Sequence, residues 1–384
     1  MNILYLCRQK DMGWGQAALA RALQRRGVHI SCLDVGTRLD SDVNTLVAAC
    51  SERPSLILHP ELNFPILPRG LAAINIPTAC LQIDTYAYTE RRIRWSMLFD
   101  HPIAYHPGYR ERFLRAGHPA AVEFFHAADR ELFDRAPRER VFDVGAVGRT
   151  HAKVQTTRRR VLTALSTRFK LNDWERYYAF EEMAEVYLAS KIVVNVLRDD
   201  YPQDANMRAF EAMAAGCLLI SRIPSELTAA GFKQDVHFVA YRDESEIADL
   251  VAKYLTNDAA RRRIADTGRQ KVLREHTYDC RAEQLLQIIE RSDGKFLAPA
   301  REWPEEDVRL LHIDYYTANG NLGYAGNELM HLSSRNLRAT ARGGAILARG
   351  IVSRARNRLA VLAGQKWKSN HLVPLVTPKF PRAH

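Results

Sequence analysis

Residues 206–221, NMRAFEAMAAGCLLIS, constrain the fold more than any other stretch of the chain. Ala212, Met213, Ala214 and Ala215 make a helix thin enough to press against a sheet. Gly216 stops it, because a residue free to take positive φ suits the position just past a helix. Cys217, Leu218, Leu219 and Ile220 then form an unbroken apolar run, which is how a strand covered on both faces reads. Helix, glycine and buried strand in sequence are the repeat of an α/β layer. The start of that helix is polar where the rest is not: Asn206, Arg208 and Glu211. Arg208 and Glu211 are three apart and share one face. A helix N-terminus with a cation favours phosphate, and a carboxylate can accept hydrogen bonds from a ribose. Spacing alone leaves two readings open, a grip on a charged, hydroxylated ligand or a solvated helix start.

The rest of the chain repeats the α/β pattern. A strand at 3–7, a loop with Gly13, Trp14 and Gly15, a helix at 16–26 and a strand at 28–33 make a β-loop-α-β unit. The third glycine of the dinucleotide fingerprint is missing, which argues against a dehydrogenase site. Buried runs at 55–58, 77–83, 103–105 and 122–125 continue a parallel sheet. A polar, proline-containing stretch at 135–141 reads as a linker, and a second α/β unit starts at Phe142. It runs through helices at 158–165 and 181–190, a strand at 192–197 and the helix and strand already described. It closes in a helix at 278–290 that Thr277 caps.

The string R-x-F-E-A-M-A-A-G before an apolar strand resembles the donor-binding helix of the group 1 glycosyltransferases of GT-B fold, in the branch that includes the spore-maturation-type enzymes. ASKIVVNVL at 189–197 is similar to the family's preceding strand, FDVGAVGR at 142–149 to the first strand and glycine turn of its donor domain, and 254–278, ending in EHTY, to its C-terminal helices. In order these cover roughly residues 85–290. The resemblance implies an α/β protein of GT-B fold, with two Rossmann-like doubly wound domains facing a cleft and a basic C-terminal extension. The expected boundaries are 1–138 for the acceptor domain, 139–292 for the nucleotide-sugar donor domain and 293–384 for the extension.

Charge locates that extension. Of 55 Lys or Arg against 44 Asp or Glu, residues 331–384 hold eleven basic residues and no acidic one, so residues 1–330 are balanced. A balanced body leaves no electrostatic footprint for nucleic acid, and none is expected as a partner. In the tail, Arg342, Arg349 and Arg356 recur every seven residues, opposite Ile346, Leu347, Ile351, Leu359 and Leu362. This basic amphipathic pattern is compatible with an anionic membrane surface, or with a helix packed on the body. No stretch is apolar enough to span a bilayer, and the apolar run in MNILYLC is too brief for a signal peptide. Six cysteines without a C-x-x-C pair read as reduced core thiols. The expected location is cytoplasmic, at most peripheral at the inner face of the membrane.

The resemblance also implies site residues. The donor, a nucleotide-diphosphate sugar, is a substrate, so no cofactor and no metal are expected. Arg149 and Lys153 are similar to the Arg and Lys that hold the diphosphate, Glu211 to the glutamate that holds the ribose, and Arg208 to an arginine near the phosphates or sugar. Asn206 opens the same helix, and Gly15 lies on the loop that faces the cleft. Many retaining members carry a second glutamate eight positions before Glu211. Here that position is Gln203, which leaves the stereochemical outcome open. An inverting reaction needs a general base on the acceptor side. Asp84, at the end of a buried run, is the first choice, with His106 and His59 as alternatives. Asp199 and Asp200 form an adjacent acid pair that can be read as a metal site or as an ordinary acidic loop. Arg158, Arg159 and Arg160 read as a solvated helix face, with one in reach of the cleft. The acceptor is unknown. A nucleotide-sugar epimerase of the same architecture, or a non-catalytic nucleotide binder recruited through its tail, are the alternative functions.

Overall fold

The computed structural model describes residues 1–61, 66–135, 138–150, 155–292, 294–333 and 336–362. Two parallel sheets organise the chain. The first holds β1 (Asn2–Arg8), β2 (His29–Leu33), β3 (Leu56–His59), β4 (Thr78–Gln82), β5 (His101–Ala104) and β6 (Val122–Glu123), in the order β2-β1-β3-β4-β5-β6. Its connections carry α1 (Trp14–Arg25), α2 (Val43–Ala48), α3 (Thr89–Ser96) and α4 (Tyr109–Arg115). After α5 (Arg130–Phe133) comes the second sheet, β7 (Phe142–Gly145), β8 (Ser190–Asn195), β9 (Leu218–Arg222) and β10 (Val239–Tyr241), paired in sequence order. Between its strands lie α6 (Thr156–Ser166), α7 (Phe180–Leu188) and α8 (Met207–Ala214). Then follow α9 (Ile247–Thr256), α10 (Asp258–Glu275), α11 (Tyr278–Ser292), α12 (Glu305–Asn319), α13 (Leu322–Ser333) and α14 (Leu337–Leu362).

Successive strand residues point to opposite faces, and each face of the first sheet has its own cover. Ile3, Tyr5, Leu56, Leu58, Ala79 and Leu81 pack with Leu19 and Leu23 of α1 and with Tyr278, Ala282 and Leu285 of α11. The helix at 278–290, counted with the donor unit in the sequence, therefore closes the first sheet instead. The chain returns where the Ala128 amide donates to the His276 carbonyl at 2.9 Å and the Tyr278 amide to that of Ala128 at 3.1 Å.

The opposite face of that sheet, with Leu4, Leu6, Ile57 and Cys80, is covered in large part by residues beyond 300. Leu310, Leu311, Ile313, Tyr315 and Tyr316 of α12 join this core, with Ala325, Leu332 and Ala339 from α13 and α14. Trp95 Nε1 donates to Asp314 at 3.0 Å, and the Tyr316 hydroxyl lies 2.7 and 2.8 Å from the Leu39 and Leu67 carbonyls. The extension is thus a structural layer as well as a basic helix. Burying the apolar faces of α12 and α13 on the sheet is what keeps the helices in place.

Candidate functional site

The site is built where the second sheet's strand ends meet the first turn of α8. Gly148, with φ of 106°, turns the chain after β7. A Cβ there would lie 3.0 Å from Arg208 Nη1 and 3.6 Å from Arg158 Nη1, so the bare glycine lets two guanidiniums converge on one turn. Of the three arginines read as a solvated face with one in reach of the cleft, Arg159 and Arg160 are exposed and Arg158 is the one turned inward. Arg158 is 4% exposed, with Nε on the Val196 carbonyl and Nη1 on the Arg149 carbonyl, both at 2.8 Å. Burial, with the neighbouring Arg208 charge, pulls its pKa down to about 9. Arg158 and Arg208 line a pocket with Ala146, Tyr187 and Asn195. Two cations side by side are costly without an anion between them, so the pocket is electrostatically shaped for one.

Glu211 lies behind this pair. It is fully buried, and neither carboxylate oxygen has a hydrogen-bond partner. Burial pushes its pKa up to about 8, against the pull of Arg208 and with a small push from Asp129. Asn206 caps α8 with its backbone extended; its Nδ2 reaches Asn195 Oδ1 at 3.4 Å, while its own Oδ1 is buried and unbonded. An orphaned carboxylate and amide oxygen beside two cations can accept hydroxyls while the cations hold phosphate. Gly15 sits against the start of the same helix: a Cβ there would lie 2.7 Å from the Tyr278 hydroxyl and 3.9 Å from Met207 Sδ. Arg149 is exposed, and Lys153 lies outside the described residues.

The acceptor-side candidates stand at the contact between the two sheets' loops. Asp84 is half-buried just past β4, 3.5 Å from the Tyr86 hydroxyl. Tyr86 stacks on Tyr201 from the second unit, with ring centroids 4.1 Å apart. His106, past β5, is buried; its Nδ1 lies 2.9 Å from Glu226 Oε2, and its Nε2 has no partner. Glu226 also accepts from the Tyr201 hydroxyl at 2.5 Å and the Ala205 amide at 3.1 Å. Burial draws His106 down, but the bond to Glu226 and the charges of Glu226 and Asp204 outweigh it, and its pKa is raised. His59 is buried on the Ile66 carbonyl at 2.7 Å, away from this contact, with its pKa lowered to about 4 by burial.

The acid pair is taken up locally. Asp200 holds Arg198 through two bonds of 2.8 and 2.7 Å, and Asp199 accepts from the Thr156 amide at 3.1 Å and hydroxyl at 2.6 Å. Glu226, Asn195 and His126 were not found from sequence. No spacing links them to α8, and only the fold brings them there.

Residues 130–287 match the family model described as "Glycosyl transferase-like". No curated protein matches the chain in sequence. Among solved structures, sucrose-phosphate synthase from Thermosynechococcus elongatus superposes with a TM-score of 0.55 at 12% identity, covering 76% of this chain and 98% of that one. HepE from Anabaena, in complex with UDP and glucose, gives 0.55 at 12% identity over 76% of this chain and 100% of that one. A glycosyltransferase from Rickettsia africae ESF-5 gives 0.50 at 10% identity, over 76% and 98%. The expected fold is borne out, and so is the resemblance to the group 1 glycosyltransferases.

Proposed function

We propose that this chain, whose fold is that of the GT-B glycosyltransferases, moves a sugar from a nucleoside diphosphate to an acceptor hydroxyl. The observation that carries this reading is the pair Arg158 and Arg208 at the Gly148 turn, with the unpartnered Glu211 carboxylate behind it. The diphosphate lies against Arg208 and the turn, with Arg149 as a further cation. Glu211 and Asn206 take the ribose hydroxyls, and Gly15 lets the first loop approach. As the glycosidic bond breaks, the leaving diphosphate gains negative charge. Fixed cations and the α8 N-terminus stabilise it without having to reorganise. The reaction so drawn asks for no cofactor and no divalent ion. On the acceptor side Asp84 takes the hydroxyl proton. It is half-exposed, whereas His106, the other candidate, has one nitrogen on Glu226 and the other buried.

The Anabaena relative's ligands make uridine diphosphate sugars the first donors to try. The test is release of nucleoside diphosphate from a panel of nucleotide sugars. One donor should be turned over, with a loss of about 10²- to 10³-fold in Arg208→Ala, the cost of removing one fixed charge from such a site. Conversion of the donor sugar without nucleotide release would indicate an epimerase, and binding without turnover a non-catalytic protein.

The tail supports a finer reading. No helix among the described residues is long and apolar enough to cross a membrane. On α14, Arg338 and Arg356 are exposed, as are Leu337, Ile351 and Val352, while Arg342 pairs with Asp307 at 3.2 Å and Arg354 donates to the Ala318 carbonyl at 3.3 Å. This outer face docks on an anionic membrane surface. All six cysteines are free, which suits a reducing compartment and hence the inner face. Flotation with anionic vesicles should recover the protein, and Arg338→Glu with Arg356→Glu should abolish recovery; unchanged flotation would refute it.

A further inference from the structure

The contact between the two halves contains three side chains whose chemistry the transfer reaction leaves unused. His106 follows β5, His126 follows β6, and Asp204 precedes α8. One nitrogen from each histidine and one Asp204 oxygen lie within 4.8 Å of one another. All three residues are more than nine-tenths buried, and His106 Nε2, His126 Nδ1 and Asp204 Oδ1 have no hydrogen-bond partner. Buried polar atoms are normally paired, so an orphan on each of three neighbouring side chains calls for an occupant; the nearest His106 and Asp204 atoms, Nδ1 and Oδ1, are 4.0 Å apart.

The chemistry of the set narrows that occupant. His106 Nδ1 faces the Glu226 carboxylate at 2.9 Å, which holds the proton on Nδ1 and leaves Nε2 a lone pair. A carboxylate behind a ligating histidine is the usual outer-shell support of a metal site. Arg281 holds the backbone at His126: its Nη2 donates to the His126 carbonyl at 3.2 Å and its Nε to that of Phe125 at 2.7 Å. Burial, with the nearby His106 and Arg281, keeps the His126 ring neutral. Two imidazoles and one carboxylate converge, a donor set that suits zinc and its first-row neighbours better than magnesium or calcium.

We propose that His106, His126 and Asp204 bind a zinc-class divalent ion that ties the two halves of the protein together. The three-ligand set leaves a fourth position open. Tetrahedral zinc, with bonds of about 2.0–2.2 Å, needs ligand atoms about 3.4 Å apart, so the side chains close by roughly 1 Å on binding. Two ligands come from the first sheet's loops and one from the segment entering α8, so the bound ion restrains any separation of these elements. Because Glu211 is fully buried at the same helix, a donor reaches it only when the halves part. The ion is therefore inhibitory. This consequence rests on the proposed function, whereas the metal site does not.

The test titrates the full chain with Zn²⁺ calorimetrically, and with Co²⁺ by visible absorption, in the absence of any nucleotide sugar. One ion per chain is expected, with cobalt bands of tetrahedral intensity. His126→Ala and Asp204→Asn should each weaken binding at least about tenfold, and Glu226→Gln by about 10- to 100-fold, with unchanged far-UV spectra showing that the variants fold. No binding, or binding equal in all variants, overturns the site. In the turnover assay Zn²⁺ should slow nucleotide release in the wild type but not in His126→Ala. Binding without any turnover in any condition would count against the glycosyltransferase reading alone. Turnover together with failure of either ion to bind in the titrations would count against the site alone.

Discussion

Replacing Glu211 with glutamine should stabilise the ligand-free protein while destroying its capacity to bind donor. The carboxyl is fully buried without a hydrogen-bond partner, and its pKa in the folded chain is pushed from an ordinary 4.5 to about 8 by burial. The folded value lies above the unfolded one, so folding takes up a proton between these limits. The stability this group allows is complete below about pH 4.5 and is lost progressively up to about pH 8. At neutral pH the loss is about 3 kcal/mol, and above pH 8 about 5 kcal/mol. Glutamine resembles the protonated acid in shape and cannot ionise, so the variant escapes this loss. Urea unfolding of both proteins at about pH 5, 7 and 8.5, followed by far-UV circular dichroism, reads the difference directly. The variant's advantage should be small at the lowest pH and grow to several kcal/mol at the highest. A difference constant with pH, or a variant weaker than wild type at high pH, would show that the native site accommodates the charge and would refute the reasoning. A group kept at such a cost to stability is the expected signature of a binding residue.

Other expectations follow from single contacts. Gly15→Ala places a methyl 2.7 Å from the Tyr278 hydroxyl, so it should cost about 1–3 kcal/mol in unfolding experiments and weaken nucleotide binding through Met207. Tyr316→Phe strands the Leu67 carbonyl at the α12 contact, while the Leu39 carbonyl keeps the Leu67 amide, and should cost about 1–3 kcal/mol with nucleotide affinity unchanged, separating the role of the C-terminal layer from that of the site. Asp84→Asn should lower transfer by about 10²- to 10⁴-fold and leave nucleoside diphosphate binding intact in calorimetry.

Residues 206–221 were legible because three signals coincide there: a small-residue helix, a glycine stop and an unbroken apolar strand. The structure returns them as α8, Gly216 with φ of 74°, and β9. That one of the three arginines at 158–160 reaches the cleft was legible, but not that it is Arg158. In a run of three arginines, nothing local distinguishes the one whose guanidinium is satisfied by the distant Val196 carbonyl. The C-terminal layer was half legible. Charge marked residues beyond 331 as distinct, but the apolar positions of α12 were hidden because its hydrophobic face, Leu310 to Tyr316, is meaningful only against the face of the first sheet that Leu4 and Leu6 present. Glu226 was silent for the same reason: its three partners, His106, Tyr201 and the Ala205 amide, come from different parts of the chain. Sequence patterns report periodicity within an element; contacts between loops of two sheets leave no period to read.

The central claim is that Arg208 at the start of α8, with Arg158 of α6 beside it, holds a nucleoside diphosphate. Calorimetric titration of wild type and Arg208→Ala with a panel of nucleoside diphosphates, beginning with UDP, tests it most directly. The account predicts one-to-one binding of at least one nucleotide, weakened at least about tenfold in the variant, as loss of a charge-assisted hydrogen bond to phosphate requires. Binding of equal strength in both proteins, or no binding of any nucleotide to well-folded wild type, would contradict it.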